Sequence, residues 1–206
     1  MTSQTPQSSA LLAPQLVLAS GSPRRRELLD QIGIRYVVQT TDVDESPLTN
    51  ESALALVERL ACVKARAVWD VRAQTQQPLL PVLGADTLGL LDGELLVKPR
   101  DFADAQAMLR RMSGQWHAIF TAVAVVTARD TLVNICHSRV KFRSLSDAEI
   151  LAYWQSGEPQ DKAGAYAIQG IGAIFAERLE GSFSGVMGLP LFETAQLLAA
   201  ANIKVL

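Results

Sequence analysis

From Leu16 onward, short apolar runs alternate with segments whose apolar residues recur at helical spacing, the arrangement of an α/β domain. Leu16 to Ala19 is an apolar run that stops at Ser20-Gly21-Ser22, and it predicts a buried strand ending in a tight loop. Ser22 stands where it can cap a helix whose first residue is Pro23, and Gly33 supplies the stop after Leu28, Leu29 and Ile32. Ile34 to Val38 predicts a second short strand, and the polar stretch from Thr40 to Asn50 reads as a loop. From Glu51 to about Ala73, Leu54, Val57, Leu60, Ala61, Ala65 and Val68 keep close to a 3.6-residue period, which predicts a long amphipathic helix.

Leu79 to Leu83 predicts another buried strand, ending in Gly84-Ala85-Asp86-Thr87. Leu88 to Leu91 and Glu94 to Val97 flank Asp92-Gly93, a strong hairpin signal. Asp101 then caps a helix through Met112, with Ser113-Gly114 at its end. Ala118 to Ala128 and Leu132 to Phe142, rich in Val, Ile and Thr, predict two long antiparallel strands. Ser146 and Glu149 form a capping box for a helix ending near Gly157. A glycine-containing stretch, Ala163 to Gly172, leads into a strand candidate at Ala173 to Leu179, and Leu189 to Ala201 has helical spacing. The sum is a single α/β domain, a mixed twisted sheet flanked by helices.

A length of 206 residues suits one domain. With 49% apolar and 19% charged residues, the disordered and polyelectrolyte classes are excluded. Nineteen Lys+Arg against 21 Asp+Glu leave a net charge of −2, which argues against binding nucleic acid by bulk electrostatics. An anionic ligand would need a local cluster of cations. Cys62 and Cys136 lie far apart with no CxxC, so neither zinc nor a disulfide framework is expected. No apolar run approaches the ~18–20 residues that span a bilayer, and residues 1–14 lack the features of a secretory signal. The expectation is a cytoplasmic protein without membrane contact. Residues 1–14, rich in Ser, Thr, Gln and Pro, are expected to form a disordered tail ahead of a domain at 15–206.

Several segments carry chemistry. Ser20-Gly21-Ser22-Pro23-Arg24-Arg25-Arg26 follows a strand and opens a helix. Glycine allows close backbone approach, the helix start offers free N–H groups, and the arginines add bidentate donors, so the segment reads either as a phosphate site or as a solvated helix start. Asp86 stands straight after an apolar run, where a charge is costly unless something uses it; the other reading is a turn-capping aspartate. Lys98 follows the hairpin and reads as a cation returned to the same region or as an ordinary turn. Lys64 lies in a helix, where a solvated face is its default. Asp44 and Glu45 suit a hard cation such as Mg²⁺, or merely an exposed acidic loop. His117 and His137 fall in strand-like text and read as packed or exposed rather than ligating.

Taken together, Leu18-Ala19-Ser20-Gly21-Ser22-Pro23-Arg24-Arg25, Asp44-Glu45, Lys64-Ala65, Gly84-Ala85-Asp86-Thr87, Lys98-Pro99, Ser113-Gly114 and Gly188-Leu189-Pro190-Leu191 resemble the Maf family of nucleoside triphosphate pyrophosphatases. The resemblance runs from Leu16 to the last helix, in order. It implies a mixed fold of the inosine triphosphatase-like kind with a substrate cleft, hydrolysis of a nucleoside triphosphate to the monophosphate and pyrophosphate, a divalent metal (Mg²⁺ or Mn²⁺), and for many members a homodimer. Position by position, Ser20, Arg24 and Arg25 match the phosphate-binding motif, Lys64 and Lys98 match further phosphate-side cations, and Glu45 matches an acidic metal-site residue. Asp86 matches the proton acceptor, with a share in the metal site. Arg24, Thr87 and Gln169 match the positions that divide the family by substrate, and this set resembles the dTTP/UTP branch; the branch acting on 7-methyl-GTP carries Trp, Gln and Glu there. A glutamine amide offers both donor and acceptor to a pyrimidine edge, where a glutamate only accepts. Gly89, Val97 and Phe120-Thr121-Ala122 depart from the family pattern beside the motif residues. Two other readings stand beside this one: a nucleotidyltransferase, and a nucleotide-binding regulator of septation without turnover.

Overall fold

The computed structural model describes residues 13–206. The tail expected for residues 1–14 therefore lies outside the described residues except at its inner end, where the Ala13 carbonyl accepts a 3.0 Å hydrogen bond from Arg35 Nε. In chain order the elements are β1 (Leu16–Leu18), α1 (Pro23–Gln31), β2 (Tyr36–Val38), α2 (Ala53–Gln74), β3 (Val82–Leu91), β4 (Glu94–Leu96), α3 (Phe102–Met112), β5 (Trp116–Val126), β6 (Thr131–Phe142) and α4 (Asp147–Gln155). Three short 3-10 turns, Glu158–Asp161, Ala163–Ala165 and Ile171–Phe175, then precede β7 (Ala176–Glu180), α5 (Phe183–Met187) and α6 (Leu191–Ala200). Among the described residues, no helix is long and apolar enough to cross a membrane.

The strands form one mixed sheet in the order β2-β1-β3-β5-β6-β7, with β4 paired to β3. β1 runs parallel to both β2 and β3, and the remaining pairs are antiparallel. β1 is buried on both faces, as its unbroken apolar run requires. On one face, Val57, Leu60, Ala61, Ala65 and Val68 of α2 pack on Val17, Val82, Ala122 and Ala124. On the other, Leu28 and Leu29 of α1 with Leu197 and Leu198 of α6 pack on Leu16, Leu18, Leu83, Val123 and Val125. α3 and α4 cover the far end of the sheet around Leu109, Met112, Phe142 and Ile150.

β3 corrects one expectation. Gly84-Ala85-Asp86-Thr87 is not the turn after a short strand but the middle of a ten-residue one. The strand continues because β5 pairs with it throughout, from Val82↔Val126 to Leu90↔Ala118. On its other edge the pairing is interrupted: β1 reaches only to Leu18↔Leu83, and β4 begins at Gly89↔Leu96. Gly84 to Leu88 therefore have a strand neighbour on one side only, and that interval opens the cleft described below.

Gly84 is required where α2 crosses β3, since a Cβ there would lie 2.5 Å from the Ala61 carbonyl oxygen and 2.8 Å from the Ala65 nitrogen. Ser22 sits at the N-cap of α1 but its side chain caps nothing, contrary to expectation; its backbone N–H donates to Ser20 Oγ instead, at 3.3 Å. The caps at Asp101 and the capping box of Ser146 and Glu149 form as predicted, and Ser52 caps α2. The strand expected at Ala173 to Leu179 is displaced to β7, because Glu158 takes the Ile171 and Gly172 N–H groups and folds that stretch into a turn.

Candidate active site

The interrupted edge of β3 forms the floor of a cleft of about 740 Å³. Its walls come from the β1–α1 loop (Ser20), the first turn of α1 (Arg24, Arg25), the acidic loop (Glu45), α2 (Lys64), the segment after β4 (Lys98), and the stretch from Asp161 to Gln169. Asp86, Ser20, Arg24, Arg25, Lys64, Lys98, Glu45, Thr87 and Gln169 all line it, whereas Asp44, read with Glu45 as a candidate cation ligand, does not and instead accepts a 2.9 Å hydrogen bond from Ser46 N in the acidic loop. A separate groove of about 530 Å³ beside β2 includes Arg72, whose guanidinium already donates to Gln39, Gln77 and the Pro78 carbonyl.

Asp86 is 8% exposed. Its Oδ1 accepts a 2.7 Å hydrogen bond from Lys64 Nζ, which also lies 3.0 Å from Glu45 Oε2. Burial pushes the Asp86 carboxyl above its usual range, with Lys64 and Arg25 opposing. A buried carboxylate of raised proton affinity beside an accessible cavity is equipped to take a proton. The helix therefore supplies Lys64 as a partner, not as a solvated face.

Arg25 is anchored at three points. Its Nε donates to the Gly188 carbonyl at 2.8 Å, Nη1 to Ser20 Oγ at 3.0 Å and Nη2 to Thr87 Oγ1 at 3.4 Å. Thr121 Oγ1 lies 3.0 Å from Thr87 Oγ1 and donates to the Gly185 carbonyl at 2.8 Å. Burial draws the guanidinium below its usual range while Asp86 opposes. The network ties the β1–α1 loop, β3 and the α5–α6 junction into one unit.

Among the described residues, Arg24 and Lys98 have no hydrogen-bond or ion-pair partner, and both face the cleft. Sequence reading missed Lys162, a fifth cation lining the cavity, which is ion-paired to Asp161. It also missed Tyr166, whose hydroxyl lies 2.7 Å from His117 Nε2 behind the cleft wall. The sequence holds a signal for Lys162, the Asp161-Lys162 pair just before Ala163-Gly164-Ala165, but nothing local tells it from a surface charge. His117 is buried and burial pulls it down to about 4, whereas His137 stacks on Phe120 with ring centroids 4.6 Å apart. His117 is thus packed and His137 lies exposed on the sheet, in keeping with the expectation of packed or exposed histidines. Gly89, a departure from the family pattern, makes room for Leu96, whose Cδ1 would lie 2.9 Å from a Cβ placed there.

A buried carboxylate and five cations thus line one cleft at an interruption of the sheet, an arrangement chemically suited to a polyphosphate anion. The fold is similar to that of the Ham1 protein of Staphylococcus aureus, with a TM-score of 0.50 at 13% identity, covering 91% of this chain and 98% of that one. The model of the Maf-like protein family matches residues 15–201. The chain belongs to the Maf-like family. A protein of Hahella chejuensis named dTTP/UTP pyrophosphatase is 52% identical over 191 residues, covering 93% of this chain and 94% of that protein. A protein of the same name from Alkalilimnicola ehrlichii is 53% identical over 187 residues, covering 90% and 92%.

Proposed function

We propose that this protein hydrolyses dTTP and UTP to the nucleoside monophosphate and pyrophosphate. The observation that carries the reading is the Asp86 carboxylate, buried and held against Lys64 in a cleft lined by five cations. The names of relatives about half identical to the chain supply the substrates.

Attack at the α-phosphorus forms a new P–O bond to water and breaks the bond to the β-phosphate, so the water must lose a proton while pyrophosphate gains charge. Asp86 takes the proton. Lys64 orients the carboxylate and favours its ionised form. Arg24, Arg25, Lys98 and Lys162 neutralise the phosphates, and Ser20, oriented by Arg25, adds a hydroxyl. Three N–H groups of Arg25 are engaged by the protein, which fixes the fork and leaves two for an anion. Arg24, Thr87 and Gln169, the residues to which substrate choice is assigned on this reading, line the same cleft.

Glu45 and Asp86 suit a divalent cation such as Mg²⁺ or Mn²⁺. Both carboxylates already converge on one positive centre, Lys64 Nζ, and a pair of carboxylates completed by substrate phosphates is an ordinary Mg²⁺ donor set. Among the described residues there is no cluster of three or more His, Cys, Asp or Glu that would hold a metal alone; water and substrate phosphates would supply the remaining ligands. When bound, the cation supplies positive charge against the phosphate oxygens.

The test is a panel of dTTP, UTP, CTP, GTP, ATP and 7-methyl-GTP, scoring pyrophosphate and orthophosphate separately for the native protein and Asp86→Asn. Pyrophosphate chiefly from dTTP and UTP, with kcat lowered ~10²–10⁴-fold in the variant, supports the reading. Acceptor-dependent pyrophosphate release would point to a nucleotidyltransferase. Binding without product would point to a regulator.

A further inference from the structure

Gln169 stands on the least regular part of the cleft wall, between the 3-10 turns Ala163–Ala165 and Ile171–Phe175. A side chain that reads a base needs a fixed backbone, and a loop supplies one only if something outside the loop holds it. Here a carboxylate does. Glu158 Oε1 accepts from the Tyr153 hydroxyl at 2.6 Å and from Gly172 N at 2.9 Å, and Oε2 accepts from Ile171 N at 2.8 Å. The Tyr153 hydroxyl oxygen in turn accepts from Ala167 N at 3.1 Å. The two side chains thus grip the loop two residues before Gln169 and again two and three residues after it.

The grip is close. A Cβ on Gly170 would lie 2.1 Å from Glu158 Oε2, and one on Gly172 would lie 2.6 Å from the Tyr153 hydroxyl. Tyr153 is itself packed in the core against Phe175, ring centroids 4.9 Å apart, so the clasp is tied to the body of the domain. Burial of Glu158 opposes its ionisation, but the bonds from Tyr153, Gly172 and Ile171 outweigh that and hold its carboxyl below the usual range. Neither Glu158 nor Tyr153 lines the cleft. Their action on a ligand has to pass through the loop.

We infer that Glu158, locked by Tyr153, is a positioning residue that sets Gln169 for recognition of the nucleobase. The inference rests on the proposed reading of Gln169 as a base contact. A carboxylate is needed because three donors converge on it. An amide of the same shape would turn its NH₂ toward one of those donors and leave an N–H of the loop unpaired.

The experiment measures kcat and KM for dTTP, UTP and CTP in the native protein, Glu158→Gln, Tyr153→Phe, Gln169→Ala and the double variant Glu158→Gln/Gln169→Ala, at a temperature where circular dichroism shows each folded. Glu158→Gln is expected to raise KM for dTTP and UTP about tenfold with kcat within about threefold. Its preference over CTP should fall as in Gln169→Ala, and the double variant should lose no more than the worse single one. Tyr153→Phe should move the same quantities in the same direction, and decides the matter if Glu158→Gln does not fold. Altered selectivity in Gln169→Ala alone, with native selectivity in Glu158→Gln and Tyr153→Phe, overturns the positioning role while sparing the reading of Gln169. An equal loss of kcat for all three nucleotides also overturns it, as a purely structural effect. Native selectivity in Gln169→Ala overturns the base-contact reading itself and the inference with it.

Discussion

Asp86 and Thr87 are consecutive residues of β3 that leave the strand on opposite faces, Asp86 toward Lys64 of α2 at 2.7 Å and Thr87 toward Arg25 of α1 at 3.4 Å. Strand alternation thus sends one side chain to Lys64 and the next into the frame around Arg25. Both reach the same cavity only because the sheet is interrupted beside them.

Arg25 is consequently expected to tolerate lysine poorly. An ammonium cannot reproduce the fork that reaches Gly188, Ser20 and Thr87 together. Arg25→Lys should lower kcat/KM for dTTP by roughly tenfold or more, with a lower thermal midpoint. Native kinetics would show that the network is not needed for turnover.

Lys162 should bind substrate despite its pairing with Asp161. Lys162→Met is expected to raise KM for dTTP about tenfold with a smaller change in kcat. Asp161→Asn, which frees the ammonium, should leave KM unchanged or lower it. Steady-state kinetics on both variants decide this, and an unchanged KM in Lys162→Met removes that residue from the anion site.

Gly84 sets how closely α2 lies on β3. Gly84→Ala would place a methyl against the backbone at Ala61 and Ala65, so a loss of about 1–3 kcal/mol in urea unfolding is expected. Lys64, next to Ala65, would shift from Asp86, and kcat should fall even where the protein remains folded. A variant as stable and active as the native protein would contradict the close approach.

Glu149 gives a pH dependence with a definite sign. Its carboxylate accepts bonds from Arg143 and from the backbone and hydroxyl of Ser146, which hold it down to about 2. A depressed carboxyl contributes stability above its unfolded value of about 4.3, and loses it as pH falls toward the folded value. The urea midpoint should therefore drop between about pH 5 and pH 2. Glu149→Gln should lower it at neutral pH and flatten that descent.

Much of this was legible in the chain because it is local. The caps at Asp101 and Ser146, the hairpin at Asp92-Gly93 and the long pair β5 and β6 depend on neighbours in sequence or on simple periodicity. The site residues were legible through their family resemblance, and the structure brings all of them to one cleft. What failed depended on distant partners. Gly84 and Asp86 look like a turn until β5 pairs alongside and α2 brings Lys64 to the carboxylate. Ala173 to Phe175 read as the start of a strand, yet they belong to a turn that Glu158 holds by claiming the N–H groups of Ile171 and Gly172. Lys162 is one of five lysines, and nothing local marks it until the fold places it beside the cleft.

The interruption between β1 and β4 has a consequence for how the molecule treats other polypeptides. Unpaired strand edge ordinarily invites an incoming strand, and proteins guard against that with charge or cover. Here the unpaired interval, Gly84 to Leu88, is bounded by a strand at each end and rimmed by cations. An extended chain would have to enter end-on between two strands already in the sheet. The opening onto the cleft is thereby closed to the backbone of a neighbouring molecule, and the unpaired interval of β3 needs no separate protective element.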